Sequence, residues 1–321
     1  MVLNINQLST FYKSKKKLFS KPSWNYALKD ISLQVQEGDV FAIVGESGCG
    51  KSTLGNTISG LISPYSGSIE YRNQEIITPS KNILKTNKEL RRKIQVIFQD
   101  PYSSLNPQHT IKRIIGSPLL IHKLADHKNY KEKVEYYLSL VQLDKNLMYR
   151  KPSELSGGQR QRVGIAKAIA LEPEILICDE ITSALDVSVQ AFIIDLLFEL
   201  KQKLNLTILF ITHDLSLVKH ISSKVCVMYG GEIMELGNTK EIFSKPKHPY
   251  TKALLSAIPT LNRKKKPYIL KGEPPKTNQL YHHCIFYERC PIREDRCKIE
   301  KPPLYNLNNH YTKCFFYDFN K

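Results

Sequence analysis

The feature that most constrains the fold is a glycine-rich segment directly after a short apolar run. The run is Val40-Phe41-Ala42-Ile43-Val44, and the chain continues as Gly45-Glu46-Ser47-Gly48-Cys49-Gly50-Lys51-Ser52-Thr53. This matches G-x-x-x-x-G-K-[ST], in which the glycines let successive backbone N–H groups point at one anion and the next helix adds its positive dipole end. Lys51 is suited to reach the β- and γ-phosphates, and Ser52 to hold Mg²⁺. The segment therefore predicts a strand, a phosphate-binding loop and a helix that bind a nucleoside triphosphate.

Length and composition exclude a membrane-spanning chain and a disulfide scaffold. The 321 residues contain no run of about 18 apolar residues that would span a bilayer. The first residues lack the basic start and apolar core of a secretory signal, and seven cysteines in a chain of this size then favour a reducing compartment. We therefore expect a cytoplasmic protein.

The net charge of +17 raises the question of an anionic partner. The densest basic runs are at 13–17 and 263–266, and both have the composition of solvated loops or linkers. The other lysines are scattered along the chain, which weakens the case for nucleic acid. If the charge has a use beyond solvation, we expect it at the cytoplasmic face of a membrane.

Hydrophobic periodicity predicts an alternation of strands and helices. Strands are predicted at 3–8, 27–35, 40–44, 68–72, 94–98, 174–180 and 207–213, with a hairpin over 225–236 on the turn Gly230-Gly231. Helices are predicted after Ser156 and over 187–204, with a helical insertion at 108–150. The strand, helix and strand between 174 and 213 form a parallel crossover, which is typical of an α/β sheet. Residues 81–92 and the segment beyond about 260 show no clear period.

Two carboxylates, Asp179 and Glu180, end one of the predicted buried strands. Asp179 is placed to bind Mg²⁺ through water, and Glu180 to polarise a water in line with the γ-phosphate. Side chains that are neighbours on a strand point to opposite faces, but the turn at a strand end lets both reach one site. Acidic residues also occur at ordinary strand ends. In a chain with a phosphate loop the catalytic interpretation is favoured.

At this point the chain resembles the ATP-binding-cassette (ABC) ATPases in the order and spacing of its motifs. The motifs are the phosphate loop, the loop at Gln99, Leu155-Ser156-Gly157-Gly158-Gln159, Asp179-Glu180, Ser183-Ala184-Leu185-Asp186 and His213. The Leu-Ser-Gly-Gly-Gln motif is the specific one, because ordinary phosphate-loop enzymes lack it. The resemblance covers about residues 3–260. It implies an α/β phosphate-loop NTPase of ABC type, with a mixed sheet core, an antiparallel β subdomain and a helical subdomain at about 100–165.

The resemblance also implies how the site works. Two such domains would sandwich two ATP molecules head to tail, and Ser156, Gly157, Gly158 and Gln159 of one would grip the γ-phosphate on the other's phosphate loop. Gln99 would sense Mg²⁺ and the attacking water, and His213 would contact the γ-phosphate. Glu180, His213 and Gln99 are thus the implied catalytic residues, and Ser52, Gln99 and Asp179 the implied Mg²⁺ ligands.

The adenine-stacking residue is left open among three candidates, and one residue departs from the family pattern. The family stacks adenine on an aromatic residue upstream of the loop, for which Tyr12 is preferred, with Trp24 and Tyr26 as alternatives. Ile181 follows Glu180 where the family usually has proline. This change affects the turn and removes no catalytic group.

The subfamily is indicated by two further stretches. His248-Pro249-Tyr250-Thr251-Lys252-Ala253-Leu254-Leu255-Ser256-Ala257-Ile258-Pro259 resembles the C-terminal signature of oligopeptide, dipeptide and nickel import ATPases, and residues 99–107 resemble the second ATPase of such importers. The implied organisation is an ABC ATPase domain at 1–260 and a C-terminal extension at 261–321.

The implied function is ATP hydrolysis that energises import of oligopeptides or dipeptides, with nickel or metal-chelate import as an alternative. The implied partners are a second ABC ATPase subunit, as a hetero- or homodimer, two membrane permeases and an extracytoplasmic peptide-binding protein, but no nucleic acid. The implied location is peripheral, on the cytoplasmic face of the inner membrane. A non-transport ABC ATPase that acts on nucleic acid or ribosomes is the alternative of another class, but such proteins typically have two cassettes or a long coiled-coil insertion.

Four cysteines in the extension form a candidate metal site. Cys284, Cys290, Cys297 and Cys314 are separated by 5, 6 and 16 residues. Thiolates in such a group suit Zn²⁺ or an iron–sulfur cluster, and the C-x₂-C pairs usual in zinc ribbons are missing. Arg289-Cys290-Pro291 resembles the family tail associated with a [4Fe–4S] cluster. The cluster is favoured on that resemblance, with zinc and reduced structural thiols as alternatives.

Overall fold

The computed structural model describes residues 1–13, 24–183, 185–258, 268, 270–276 and 278–317. Two compact units make up the chain: unit 1 combines Met1–Asn82 with Ile211–Lys321, and unit 2 is Ile83–Phe210. Most of the two basic runs, Ala184 of the Ser183–Asp186 motif and Pro259 of the C-terminal signature lie outside the described residues.

The first part of unit 1 contains an antiparallel sheet and the strand that leads into the phosphate loop. Its elements are β1 (Leu3–Lys13), β2 (Trp24–Val35), β3 (Val40–Val44), α1 (Lys51–Ile58), β4 (Ser66–Tyr71) and β5 (Gln74–Ile77). The antiparallel sheet has the order β2-β1-β4-β5. In β2 the residues Ile31, Leu33 and Val35 are buried while Ser32 and Gln34 are exposed, as a half-buried strand requires.

Unit 2 is mainly helical. Its elements are α2 (Ile83–Thr86), α3 (Lys88–Lys93), β6 (Ile94–Ile97), α4 (Pro101–Ser104), α5 (Ile111–Ile121), α6 (Tyr130–Leu140), α7 (Gly157–Ile169), β7 (Ile175–Asp179), α8 (Val187–Leu204) and β8 (Thr207–Thr212), whose last two residues belong to unit 1. β8, β7 and β6 are neighbours in that order, and β6 and β7 are parallel. The predicted helical insertion is present as α5 and α6, which pack on each other and on α7. None of the described helices is long and apolar enough to cross a bilayer.

Residues 81–92, which showed no clear pattern, contain the short helices α2 and α3. Asn87 caps α3, because its side chain accepts hydrogen bonds from the N–H groups of Glu89 and Leu90. No residue of α3 is buried. A helix without a buried face leaves no hydrophobic period in the sequence, which explains why it was not predicted.

The second part of unit 1 contains a mixed sheet. Its elements are α9 (Leu215–Ile221), β9 (Lys224–Tyr229), β10 (Glu232–Asn238), α10 (Thr239–Ser244), α11 (Pro249–Ala257), α12 (Arg296–Ile299), β11 (Tyr305–Asn306) and β12 (Tyr311–Thr312). The strand order within the unit is β11-β12-β10-β9-β3, with β3 and β9 parallel and the other pairs antiparallel. The predicted hairpin of β9 and β10 is confirmed. β3 is buried along its whole length, as expected of a strand with a parallel neighbour and both faces covered.

The described part of the C-terminal extension shares a hydrophobic core with the rest of unit 1. Phe286 and Phe315 are each 1% exposed and pack in one cluster with residues of β3, β9 and α11. Glu235 of β10 is fully buried and accepts hydrogen bonds from the backbone N–H groups of Lys247 and His248, and it lies 2.6 Å from Nε2 of His310. Both apolar and polar contacts therefore attach the extension to the mixed sheet.

A second buried carboxylate, Glu232, lies among lysines. Its side chain is 2% exposed, and its oxygens lie 2.7 Å from Nζ of Lys313 and 3.4 Å from Nζ of Lys301. Burial alone would raise the pKa of Glu232, but Lys313, Lys301 and Lys29 outweigh it and lower the pKa below its ordinary value of 4.5. The carboxylate therefore stays charged and joins β10 to the extension.

Glu232→Gln is expected to lower the free energy of unfolding by about 2 kcal/mol at neutral pH, because it leaves the lysines without their counter-charge in a partly buried site. Denaturant unfolding measures the effect, and Glu300→Gln, in an exposed pair with Arg296, is the matched control. Because the native pKa of Glu232 is lowered, its contribution is present at neutral pH and is lost as the pH falls below 4.5 through that pKa. Equal stability of the two variants at neutral pH would contradict the assignment.

Candidate nucleotide-binding site

The phosphate loop connects β3 to α1, and its shape depends on Gly50. This residue has φ +107°, and a Cβ atom there would lie 2.4 Å from the carbonyl oxygen of Ala27. Both the left-handed backbone and the close approach require glycine. α1 begins at the next residue, Lys51, so the positive end of its dipole is directed at the loop.

Within the loop, Lys51 is held by the backbone around it. Its side chain is buried, and Nζ donates hydrogen bonds to the carbonyl oxygens of Gly45 at 2.9 Å and Glu46 at 3.1 Å. Cys49 is also buried; burial raises the pKa of its thiol, which is therefore protonated at neutral pH. The carbonyl oxygen of Cys49 accepts a hydrogen bond from Gly231 N–H at 3.0 Å, which connects the loop to the hairpin turn. Ser47 and Gly48 at the tip are exposed, and Ser52 and Thr53 are half-buried.

The candidate adenine-stacking residue, Tyr12, reaches α1. Its hydroxyl donates a hydrogen bond to Oγ1 of Thr53 at 3.3 Å, and its ring is 36% exposed. Tyr26 packs edge-on against Phe11 with ring centroids 4.6 Å apart. Trp24 is 44% exposed, at the start of β2. Tyr12 therefore contacts the helix that follows the loop.

His213 follows the last residue of β8 and is exposed. The next residue, Asp214, caps α9, because its carboxylate accepts hydrogen bonds from Ser216 N–H at 2.8 Å and Leu217 N–H at 3.2 Å. The cap ends the strand and fixes the turn that carries His213.

In unit 2, the predicted catalytic residues Gln99 and Glu180 are in contact. Nε2 of Gln99 donates a hydrogen bond to Oε2 of Glu180 at 3.1 Å. Asp179, at the end of β7, is 7% exposed. Glu180 has φ +47°, a left-handed conformation that is uncommon outside glycine and tends to occur at functional sites.

Ile181, the departure from the family pattern, leaves the turn after β7 intact. Its side chain is 2% exposed. The N–H and the hydroxyl of Ser183 both donate to the carbonyl oxygen of Glu180, at 3.1 and 2.9 Å. The turn is thus closed by backbone and side-chain hydrogen bonds without the usual proline.

The Leu155–Gln159 motif forms the start of α7 through a capping box. The Oγ atom of Ser156 accepts a hydrogen bond from Gln159 N–H at 3.3 Å, and Oε1 of Gln159 accepts one from Ser156 N–H at 2.9 Å. The pattern S-x-x-Q is the sequence signature of such a box. Sequence reasoning assigned Gln159 only to ligand contact and missed this structural role.

The start of α7 lines an open cavity of about 410 Å³ in unit 2. The cavity wall is formed by Ser156, Gly157, Gly158, Gln159, Arg162, Leu185, Asp186, Ser188, Val189 and Phe192. Gln99, Asp179 and Glu180 are not part of this wall. Gly158 lies against α8, since a Cβ atom at its position would be 2.8 Å from Cγ1 of Val189.

The four cysteines of the extension, Cys284, Cys290, Cys297 and Cys314, line one small cavity in unit 1, which is otherwise largely apolar. Burial, reinforced by the other three cysteines, raises the pKa of the Cys284 thiol to about 12. Burial likewise raises the pKa of Cys314 to about 11. It also raises the pKa of Cys290. Among the described residues, no group of three or more His, Cys, Asp or Glu side chains could hold a single metal ion. The four cysteines thus share one cavity, and their assignment as cluster ligands stays a prediction.

The contacts of α11 and of the extension with the phosphate loop are not predicted by the sequence. Arg289 forms two hydrogen bonds with the carboxylate of Glu46, at 2.8 and 3.0 Å, and the hydroxyl of Tyr250 accepts one from Glu46 N–H at 2.9 Å. The sequence signals, Arg289-Cys290-Pro291 and His248-Pro249-Tyr250, were attributed to a cluster and to a subfamily. Nothing in either indicates a partner more than 200 positions away.

A further cavity contains none of the predicted site residues. It measures about 520 Å³, belongs to unit 1 and is lined mainly by residues of β1, β2 and β10 with Leu304, Asn309 and Tyr311. Its size does not make it the nucleotide site, because the phosphate-binding groups are on the loop after β3.

Solved structures identify the fold. The dimeric post-hydrolysis ATP-binding cassette MJ0796 bound to ADP and Pi superposes with a TM-score of 0.64 at 27% identity, over 74% of this chain and 98% of that one. The cbiO1 subunit of the ABC transporter complex cbiONQ from Clostridium perfringens gives 0.63 at 31% identity, over 76% and 91%. The predicted fold class is confirmed. Fold and motifs together define an ATP-binding-cassette ATPase.

Sequence relatives define the family within this class. Residues 28–183 match the family described as ABC transporter, and residues 234–297 match the oligopeptide/dipeptide transporter C-terminal region. The chain is 41% identical to the oligopeptide transport ATP-binding protein AppF of Bacillus subtilis, over 98% of this chain and 97% of that protein. It is 43% identical to OppF of Haemophilus influenzae, over 98% and 96%. The chain belongs to the family of oligopeptide and dipeptide transport ATP-binding proteins.

The close approach of α7 and α8 predicts opposite effects for two glycine substitutions in one helix. Gly158→Ala is expected to destabilise unit 2, because the β-branched Val189 cannot move away from the new Cβ. Adding Val189→Ala to this variant should restore the lost stability. Gly164→Ala should stabilise α7 by about 0.5–1 kcal/mol, because no described atom beyond the nearby backbone of α7 and the adjacent residues lies within 4 Å of the new Cβ. Thermal unfolding of the three variants measures the effects. The same sign for Gly158→Ala and Gly164→Ala would refute this packing.

Proposed function

We propose that the protein is the ATP-hydrolysing subunit of an importer of oligopeptides or dipeptides. The observation that carries the proposal is the match along nearly the whole chain to proteins named as oligopeptide and dipeptide transport ATP-binding proteins, including the C-terminal region. The cassette accounts for residues 1–260 in this proposal, with a helical subdomain at about 100–165, and residues 261–321 are an extension. The shared core of extension and mixed sheet supports an attached extension rather than an independent domain.

The phosphate loop binds the triphosphate of ATP in this proposal. The backbone of residues 45–53 surrounds the phosphates, Lys51 contacts the β- and γ-phosphates, and Tyr12 stacks on adenine. The hydrogen bond from Tyr12 to Thr53 supports Tyr12 over Trp24 and Tyr26. Mg²⁺, when bound, would neutralise phosphate charge. Its proposed ligands, Ser52, Gln99 and Asp179, are the hydroxyl, amide and carboxylate oxygens that this hard cation prefers.

Glu180 is the proposed general base. Gln99 holds one oxygen of its carboxylate at 3.1 Å and orients it, and the same amide is available to sense the attacking water. His213 is proposed to contact the γ-phosphate; its exposed position after a capped turn is compatible with that role.

The start of α7 is proposed to serve the nucleotide of a second ATPase subunit. Ser156, Gly157, Gly158 and Gln159 line an open cavity that does not include Gln99, Asp179 or Glu180. A helix N-terminus is suited to a γ-phosphate. The complex would further contain two membrane permeases and an extracytoplasmic peptide-binding protein, with this subunit on the cytoplasmic face of the inner membrane and no nucleic acid bound.

Glu180→Gln is expected to lower ATP turnover by at least about 100-fold and to abolish peptide uptake, because the amide cannot accept the proton of the attacking water. ATP affinity should stay within about threefold, since the side chain keeps its size and its neighbour Gln99. The measurements are phosphate release, ATP binding and uptake of a labelled peptide by cells that contain the whole transporter. Glu135→Gln, at a half-buried carboxylate of unit 2 paired with Lys131, is the matched control. Retained hydrolysis would reject Glu180 as the base, and wild-type hydrolysis without peptide uptake would reject peptide import.

We further propose that the four cysteines of the extension hold a [4Fe–4S] cluster. All four line one small, largely apolar cavity, and the other three cysteines help to raise the pKa of Cys284. The thiolates of a cluster bind different irons and need not meet at one ion, which suits a cysteine group that is not arranged around a single metal. Such a cluster would supply either electron transfer or structural support. Zinc and reduced structural thiols are the competing interpretations.

Protein purified without oxygen is expected to be brown and to contain about four irons and four labile sulfides per chain. Cys290→Ser should lose both colour and iron. Cys226→Ala, in β9 and outside the cavity, should keep them. A colourless protein that contains zinc or no metal would contradict the cluster.

A further inference from the structure

An acidic side chain stands in the loop that must bind a polyanion. Glu46 is the first variable residue of the G-x-x-x-x-G-K pattern, between Gly45 and Ser47. Its carbonyl oxygen accepts a hydrogen bond from Lys51, the residue suited to the β- and γ-phosphates. A carboxylate so close to a triphosphate repels it, and within a protein the repulsion is stronger than in water. The loop therefore needs a compensating positive charge.

Arg289 of the extension supplies that charge. Nη1 lies 2.8 Å from Oε2 of Glu46 and Nη2 lies 3.0 Å from Oε1, so the pair is bidentate. The Arg289 side chain is 7% exposed and that of Glu46 27%. Nη1 also donates to the hydroxyl of Tyr229 at 3.2 Å. An arginine guanidinium keeps its charge in proteins, so the contact with Glu46 is an ion pair.

The backbone of Glu46 is held as firmly as its side chain. Its N–H donates to the hydroxyl of Tyr250 at 2.9 Å, and its carbonyl oxygen accepts from Lys51 Nζ and from Cys49 N–H. Tyr250 is fully buried and packs on Tyr229, with ring centroids 4.7 Å apart. Every polar group of Glu46 therefore has a partner, and two of these partners come from after the hairpin.

The orientation of Arg289 is set by the cysteine-bearing segment. Arg289 ends a 3₁₀ turn, and its N–H donates to the carbonyl oxygen of Phe286 at 3.1 Å. Phe286 is 1% exposed and packs against both Tyr229 and Tyr250. At the start of the same segment, Cys284 N–H donates to the carbonyl oxygen of Cys297 at 3.0 Å. The guanidinium is therefore presented to the loop by a packed support rather than by a free side chain.

We propose that Arg289 is a positioning residue for the phosphate loop, which neutralises Glu46 and, together with Tyr250, holds the loop in the shape that binds the phosphates of ATP. The inference rests on the proposed ATP binding. It assigns the extension a part in nucleotide affinity, in addition to any role of its cysteines.

The test compares the affinity for MgATP of the full chain and four variants: Arg289→Gln, Glu46→Gln, the double variant and Arg296→Gln. Arg289→Gln should weaken ATP binding about tenfold, because it leaves the carboxylate uncompensated. The double variant should recover to within about threefold of the wild type, because both charges are gone. Glu46→Gln alone should bind ATP no more weakly than the double variant. Arg296→Gln, the same substitution at a half-exposed arginine of the extension that contacts Glu300 and Phe315, should leave ATP affinity unchanged.

Two readouts separate charge compensation from simple structural damage. The deficit of Arg289→Gln should shrink as salt is added, and it should be larger for ATP than for ADP, which carries less charge. Thermal unfolding checks that each variant folds. If Arg289→Gln does not fold, Arg289→Lys replaces it. Lysine keeps the positive charge but loses the bidentate pair, so the loss of ATP affinity should be smaller, and Glu46→Gln should again remove it.

The proposal is overturned if Arg289→Gln binds ATP as the wild type does. It is also overturned if the double variant stays as weak as Arg289→Gln, since the arginine would then act through structure and not through the charge of Glu46. Absence of ATP binding by the wild type would instead reject the proposed function. The two failures are therefore distinguishable.

Discussion

The structure depends on holding one short loop in a conformation that its own residues cannot maintain. A phosphate loop must direct several backbone N–H groups at one point, so its carbonyl and side-chain groups need partners elsewhere. In this chain the partners come from three distant segments: Gly231 binds the carbonyl oxygen of Cys49, Tyr250 binds the N–H of Glu46, and Arg289 binds its carboxylate. The backbone of Ala27, which lies close to Gly50, is a fourth constraint on the shape of the loop. Much of unit 1 can be understood as the support for this loop.

Elements with a strong hydrophobic period were predictable from the sequence, and short or irregular ones were not. The apolar run of β3 and the helical spacing of α8 predicted both elements at their observed bounds. β11 and β12 have two residues each, too few for an alternating pattern, and form only because β10 offers a partner strand. The core of the extension likewise depends on long-range packing, which composition alone does not reveal. The failure of prediction beyond residue 260 follows from this dependence.

At the site, the sequence predicted the motifs but not all the contacts that their residues make. Gln99 and Glu180 were predicted as separate catalytic residues, and the structure adds the hydrogen bond between them. Gln159 was expected to contact a ligand, and its side chain also closes the capping box of α7. The pair of Glu46 and Arg289 is separated by 243 positions, and local patterns carry no information on such a contact. Motifs thus indicate which residue types are present, and the fold determines which of these residues contact one another.

The addition of β12 to β10 has a consequence for solubility. β10 would otherwise be the end strand of the mixed sheet of unit 1, with a row of backbone donors and acceptors able to recruit a strand from another molecule. β12 pairs with the middle of β10, at Glu235 and Leu236. The edge strand is then β11, which is only two residues long. So short a border is a poor template for further strand addition. The extension therefore covers the edge of the sheet and leaves little exposed strand for self-association by this chain.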